Sequence, residues 1–322
     1  MRRRLIALIA AAFIVPGVLL PAHAAGGAAN DRLKAVASFS ILGDMVKQVG
    51  GDRVEVTTLV GPNGDAHVFS PTPADAKTLA SADIFIVNGL GFEGWMERLE
   101  NASGFTGALV VASGGVMPVT MAEDVDHHNG AHDTDEAHEG HDAQDGVTAD
   151  PHAWQNLFNG RIYVTNIRDA LIAADPDGKA VYEANATKYL AAIDAEDKAV
   201  RAAIAKLPKA RRRIITSHDA FGYLANACGL EIIAPEGVST ASEPSAQDVA
   251  KIIRQIRKEK IPAVFLENIT DRRLLDQIAR ETGAKIGGVL YSDALSDKDG
   301  PAPTYLEMFR HNVSALTAAL SY

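Results

Sequence analysis

Three histidines and one aspartate stand out for the chemistry they could do together: His67 in GPNGDAHVFSPTP, His152 in ADPHAWQN, His218 in RIITSHDAFGYL and Asp293 in GGVLYSDALS. Each falls just past a segment that reads as a buried strand or its turn. Three neutral imidazoles and one carboxylate make a four-coordinate donor set suited to a borderline-soft divalent cation such as Zn²⁺. A second metal-friendly feature lies between the first two. In an acidic tract, His127, His128, His132, His138 and His141 stand among nine carboxylates between Glu123 and Asp145.

The elements that must position these residues alternate in type. KAVASFS, VEVTTLVG, ADIFIVNG and ALVVAS are strand candidates with little polar alternation, separated by helix candidates, the mark of a parallel sheet covered on both faces. One helix is expected to start at Thr72, with Thr72 as cap, Pro73 in the first turn and Asp75 at the positive helix end. After the tract, KAVYEANATKYLAAIDAEDKAVRAAIAKL predicts one long helix. Its stripe of Tyr182, Ala186, Tyr189, Ile193, Val200, Ile204 and Leu207 is interrupted at Glu196 or Asp197, so the middle is expected to be more exposed than the ends. At 1.5 Å per residue it would run roughly 45 Å, enough to span two lobes. RIITS, EIIAPEG, AVFLEN and KIGGVLYSD then repeat the strand–helix rhythm.

The expected fold class is therefore α/β: two lobes, each a parallel sheet covered by helices, joined by one long rigid helix, with the metal site in the cleft between them. The expected boundaries are a leader over 1–24, a first lobe over 31–160 with a disordered His-rich loop at 121–149, a connecting helix over 178–208 and a second lobe over 211–322. The leader is read from three arginines, an apolar run and a small-residue A-H-A ending, cleaved after Ala24. The apolar stretch from Leu5 to Leu20 is short for a membrane span and broken by Pro16 and Gly17. The mature length is then 322 − 24 = 298 residues, more than one core usually organises.

Removing the leader takes away Arg2, Arg3 and Arg4, so the formal charge moves from −10 to −13. An acidic protein repels nucleic acid and anionic lipid and gathers cations weakly, which argues for a cationic ligand and against nucleic-acid binding. The single cysteine, Cys228, excludes an intrachain disulfide and reads as a small buried hydrophobe. No cysteine follows the apolar run, so the mature protein is expected to be soluble in the periplasm and not a lipoprotein. It is expected to be a monomer.

Each ligand candidate has a plainer reading. A lone loop histidine is more often a surface or hydrogen-bonded group, and Asp293 could cap a helix. His311 lies on the last helix without a partner. Asp219 and Asp150 adjoin two of the histidines and could orient them. Trp154 could wall the site off from solvent, and its plainer reading is packing.

The segments GDAHVFSPTPAD, DPHAWQN, SHDAFGYLA, SEPSAQDVAKIIRQIRKEKIPAVFLEN and YSDALS, in this order and spacing, resemble those of the cluster A-I solute-binding proteins of bacterial ABC metal importers. The resemblance covers essentially the whole mature chain. It implies two α/β lobes joined by a long helix, and it implies His67, His152, His218 and Asp293 as the metal ligands. At the position of His218, manganese-selective relatives tend to have Glu, and the acidic His-rich loop is similar to that of the zinc branch. Some zinc-type relatives carry a disulfide in the second lobe that this chain cannot form. Glu267 in FLENIT is a second acid near the expected crevice, either orienting a ligand or competing with Asp293 as the fourth.

The resulting expectation is a periplasmic protein that captures Zn²⁺ as cargo and delivers it to an inner-membrane ABC importer permease, with a periplasmic zinc chaperone as a further candidate partner. The tract histidines are expected to assist capture or transfer, since a disordered segment must order itself to bind and holds metal more weakly than a preformed cleft. No reaction is expected. Affinity is expected to fall below about pH 6.5 as imidazoles protonate. A manganese-specific protein of the same family is the nearer alternative. A zinc hydrolase would need a base such as Glu267 or Asp219 beside a metal-bound water, but a fourth protein ligand closes that position and no HExxH-like helix occurs. A surface adhesin would be expected to carry a lipid-anchor cysteine.

Overall fold

A computed structural model of the chain describes residues 32–122, 147–242 and 244–321. The expected leader and the five tract histidines lie outside the described residues. The apolar runs fold as strands and the periodic segments as helices. The first sheet is built from β1 (Leu33–Phe39), β2 (Val54–Val60), β3 (Ile84–Val87) and β4 (Ala108–Val111), parallel in the order β2-β1-β3-β4. β3 is buried at all four positions, as a central strand covered on both faces must be. The covering helices are α1 (Ser40–Gly50), α2 (Pro73–Ala80) and α3 (Met96–Ser103). The α2 start is as read from sequence. The Thr72 hydroxyl accepts from Asp75 N–H at 3.3 Å, and the Asp75 carboxylate accepts from Thr72 N–H at 2.7 Å.

The acidic tract does not begin and end where the sequence suggested. β5 (Thr120–Ala122) pairs antiparallel with β6 (Val147–Ala149), so both margins of the 121–149 segment belong to a strand pair. Beyond it the chain forms α4 (Leu157–Ala174), a helix the sequence reading missed, and then α5 (Lys179–Ala205), the expected long helix. At 27 residues α5 is roughly 40 Å long. One expectation about it is corrected. Glu196 is buried rather than exposed, and its carboxylate accepts from Arg310 Nε at 2.7 Å, so the stripe continues through an ion pair instead of breaking.

The second sheet contains β7 (Arg213–Ile215), β8 (Glu231–Ile233), β9 (Ala263–Glu267) and β10 (Lys285–Leu290), parallel in the order β10-β9-β7-β8. Its helices are α6 (Gly222–Cys228), α7 (Ala246–Glu259), α8 (Arg273–Thr282) and α9 (Tyr305–Leu320). Cys228 is only partly buried at the end of α6, and burial pushes its thiol pKa up, keeping it protonated. One apolar core runs from β1 and β3 through α4 and α5 to Phe265, Tyr305 and Phe309 of the second lobe. A smaller cluster, including Ile252, Ile256, Val264 and Ile278, packs α7 and α8 on the second sheet. The lobes thus share apolar packing as well as the α5 rod.

A polar clip holds the same junction. The buried Asp44 carboxylate of α1 accepts from Tyr305 N–H at the start of α9 (2.9 Å), from Gln48 Nε2 (3.1 Å) and from Tyr189 of α5 (3.5 Å). Replacing Asp44 by Ala strands the Tyr305 N–H in a buried site. Urea unfolding of this variant should show a loss of about 1–3 kcal/mol, the usual cost of an unpaired buried donor.

Candidate metal centre

Each candidate ligand sits where a sheet releases its chain. His67 lies in the loop after β2, and His218 in the turn after β7. Asp293 follows β10, and His152 follows β6. Three of these are carboxyl ends of parallel strands, where side chains project into the crevice between lobes, while His152 enters from the antiparallel β5–β6 pair. The four side chains offer donor atoms that all lie within 4.8 Å of one another. His67 Nε2 is 3.2 Å from His152 Nε2 and 3.3 Å from Asp293 Oδ2. His218 Nε2 is 3.1 Å from Asp293 Oδ2, and His152 Nε2 is 3.6 Å from Asp293 Oδ1.

Those separations match a coordination shell. With metal–nitrogen bonds of about 2.0–2.1 Å, a tetrahedron has edges of about 3.3 Å. The donors also lack other partners. Asp293 Oδ1 is buried with no hydrogen-bond partner among the described residues, a costly state for a carboxylate oxygen unless a cation is meant to share it. His152, His218 and Asp293 are almost fully buried, and the His67 side chain is only 4% exposed. The set can therefore enclose a bare divalent cation on four sides.

Buried acids brace two of the rings from behind. Asp150 Oδ1 accepts from His152 N–H and lies 2.8 Å from its Nδ1. Glu267 Oε1 accepts from the Ser217 and His218 N–H groups (2.8 and 2.9 Å), while Oε2 lies 2.7 Å from His218 Nδ1, close enough for an ion pair though poorly aligned for a hydrogen bond. Each contact leaves Nε2 free to face the centre. Glu267 thus stands behind His218 rather than in Asp293's place. Among the described residues Asp219 forms no ion pair with His218.

Several supporting groups were not read from sequence. Trp154 Nε1 and Gln155 Nε2 donate to Ser292 O at 3.0 and 2.6 Å, fixing the turn that carries Asp293 to the first lobe. Trp154 also meets His152 edge-on, with ring centroids 5.2 Å apart, so it does more than pack. Asn88 Nδ2 donates to Pro151 O at 2.9 Å, and Glu93 accepts from the Asn88 and Gly89 N–H groups. Gly89, Leu90 and Gly91 all have positive φ, which turns the chain so that Phe92 packs edge-on to His67. Glycine takes that backbone without Cβ crowding; Leu90 does so at a cost of about 1–2 kcal/mol. Asp293 caps no helix, since α9 starts later with Thr304 as its cap. His311 lies against Val289 O, away from the cluster.

Electrostatics reverse the usual behaviour of buried imidazoles. Burial alone would lower the pKa of His152, yet the Asp293 and Asp150 carboxylates raise it from 6.5 to about 9. Burial likewise opposes charging of His218, but Glu267 and Asp293 hold its pKa well above the ordinary value. For Asp293, burial works upward, while His152 and His218 pull it well below the ordinary carboxylate value.

The sign for metal binding follows, because an incoming cation must displace the proton from each imidazole. The expected pH threshold moves upward from 6.5: affinity should climb from neutral pH toward about 9, where His152 gives up its proton. Calorimetry at pH 7.5 in buffers of different ionisation enthalpy should detect proton release. For the metal-free fold, the stability His152 contributes is complete below its unfolded value near 6.5 and is lost as pH rises through about 9. Replacing Glu267 by Gln should weaken metal affinity by about 10–100-fold while keeping one ion per chain; loss of that ion altogether would mark Glu267 as a ligand.

The chain matches the family model described as zinc-uptake complex component A, periplasmic, over residues 35–319. It is 32% identical over 286 residues to the iron-binding protein YfeA of Yersinia pestis, covering 88% of this chain and 85% of that protein. It is 31% identical over 306 residues to the manganese-binding lipoprotein MntA of Bacillus subtilis, covering 92% of each. The fold also matches the periplasmic zinc-binding protein TroA of Treponema pallidum, with a TM-score of 0.78 at 28% identity over 90% of this chain and 99% of that one. Two parallel sheets, a joining helix and a cleft of imidazole and carboxylate donors are thus found on a sequence that the family model matches over residues 35–319. The chain belongs to the zinc-uptake component A family, the extracytoplasmic metal-binding proteins that serve the permease and ATPase of bacterial ABC importers and catalyse no reaction.

Proposed function

We propose that the cargo is Zn²⁺, held by His67, His152, His218 and Asp293 and passed to the importer's permease. The observation that carries this reading is the donor set: three imidazole nitrogens and one carboxylate whose donor atoms all gather within 4.8 Å of one another. Imidazole suits zinc, whereas the harder Mn²⁺ favours oxygen, and zinc stands above manganese and iron in the Irving–Williams order. The manganese reading rests on the relatives named for manganese and iron. Metal-free protein titrated with both ions in competition should bind one Zn²⁺ on the order of a hundredfold more tightly than Mn²⁺. Equal affinity, or a manganese preference, would overturn the zinc assignment. An anomalous edge scan on metal-soaked crystals would identify the ion and its ligands together.

The same reading gives the acidic tract an accessory role in gathering or transferring metal, with His127, His128, His132, His138 and His141 as weak donors. Replacing His218 by Ala should therefore weaken tight binding far more than deleting residues 123–145. A soluble periplasmic monomer, processed after Ala24 and loaded by a periplasmic zinc chaperone, completes the proposal. Some relatives are named lipoproteins, but here the only cysteine is Cys228, within α6.

A further inference from the structure

The four candidate ligands are not held alike. His152 is braced by Asp150, His218 by Glu267, and the Asp293 turn by Trp154 and Gln155. Among the described residues His67 has no carboxylate behind its ring. It is held through its backbone and its packing. Trp95 Nε1 donates to Ala66 O at 2.8 Å, and His67 N–H donates to Asp65 Oδ1 at 2.9 Å. The second oxygen of Asp65 reaches across the cleft, where Oδ2 accepts the Thr240 hydroxyl at 2.6 Å. Thr240 lies in the segment between β8 and α7 of the second lobe. Asp65 and Thr240 both line an open cavity of about 590 Å³ at this edge of the cleft.

Asp65 is therefore bonded at once to the backbone of a ligand and to the opposite lobe. The bond is short and charge-assisted, in the range of the stronger protein hydrogen bonds. The His67 loop has another tether, since Asn63 N–H donates to Leu295 O at 2.9 Å. Losing the Thr240 contact would thus loosen the loop without releasing it.

We propose that Asp65 is a positioning residue whose bond to Thr240 keeps the His67 imidazole on the ion and so sets how fast the ion leaves. This rests on the reading of the four residues as ligands, though not on which metal they hold. An ion leaving a four-donor shell must lose its donors in sequence, and His67 is the donor with the fewest polar restraints. Opening its loop requires the Asp65–Thr240 bond to break, since that bond ties the residue next to Ala66 and His67 to the opposite lobe.

The test uses the full-length protein loaded with one equivalent of Zn²⁺ or Mn²⁺ and chased with excess chelator in a stopped-flow instrument. Thr240→Val removes the hydroxyl at nearly constant shape and should speed ion loss about tenfold, the change expected for one such hydrogen bond. Thr240→Ser keeps the hydroxyl and should restore the original rate. Asp65→Asn should speed ion loss in the wild-type background and add little in the Thr240→Val background, because both changes break one bond. The metal-free Val variant should stay folded at the assay temperature, so that its faster release reports the lost hydroxyl, and recovery of the rate in the Ser variant separates that loss from a change of shape. An unchanged rate in Thr240→Val, or a Ser variant as fast as Val, overturns the inference while leaving the site intact. Failure of the wild-type protein to hold either ion overturns the site and the inference together.

Discussion

Burying three carboxylates beside three imidazoles is the constraint from which the rest of the site follows. Asp150, Glu267 and Asp293 sit where water cannot solvate them, and isolated charges there would be prohibitively costly. Positive charge must accompany them. The raised pKa values of His152 and His218 favour their charged forms beside these acids, and a divalent cation would bring positive charge to the same place.

Rigidity is built from several sources. The core is continuous from the first sheet through α4 and α5 to α9, and Asp44 ties three helices around one carboxylate. Trp154 and Gln155 hold the Asp293 turn directly to the first lobe. A wide hinge opening would have to expose shared apolar surface at about 25 cal/mol for each Å². Local movement of loops at the cleft edge costs far less, so exchange of ligand is easier to place there than in the body of the protein.

Much of this was legible before any coordinates. Strand ends in parallel sheets point side chains into a crevice, which singled out His67, His218 and Asp293 as candidates, while His152 entered the candidate set as the start of a returning loop and the family resemblance joined the four. Thr72, Pro73 and Asp75 marked a helix start through purely local chemistry, and the structure shows the reciprocal cap. What escaped depended on partners far away in sequence. Glu196 looked like a gap in an apolar stripe because Arg310, its partner, lies 114 positions on. Asp65 looked like a loop residue because Thr240 lies 175 positions on. The α4 helix was missed for another reason. It is buried on several sides, mixing Leu157, Tyr163 and Ile167 with Asn159 and Gly160, so it lacks the one-sided stripe that announces a surface helix. Asp150 and Glu267 could be suspected as neighbours of the donors, but their contacts with the rear of the rings depend on geometry that spacing does not encode.

The pairing of β5 with β6 has a consequence for how this protein can vary. Thr120 lies opposite Ala149, and Asp150, which orients His152, follows directly. The chain leaves and rejoins the body at one shared seam, which Tyr223 of α6 fastens by donating to Asp150 O and accepting from Val119 N–H. A change of length between the two strands would therefore meet the described fold at that seam. The strand pair thus stands between the 123–146 stretch and the pocket, and Asp150 holds its ring from the inner side of that seam.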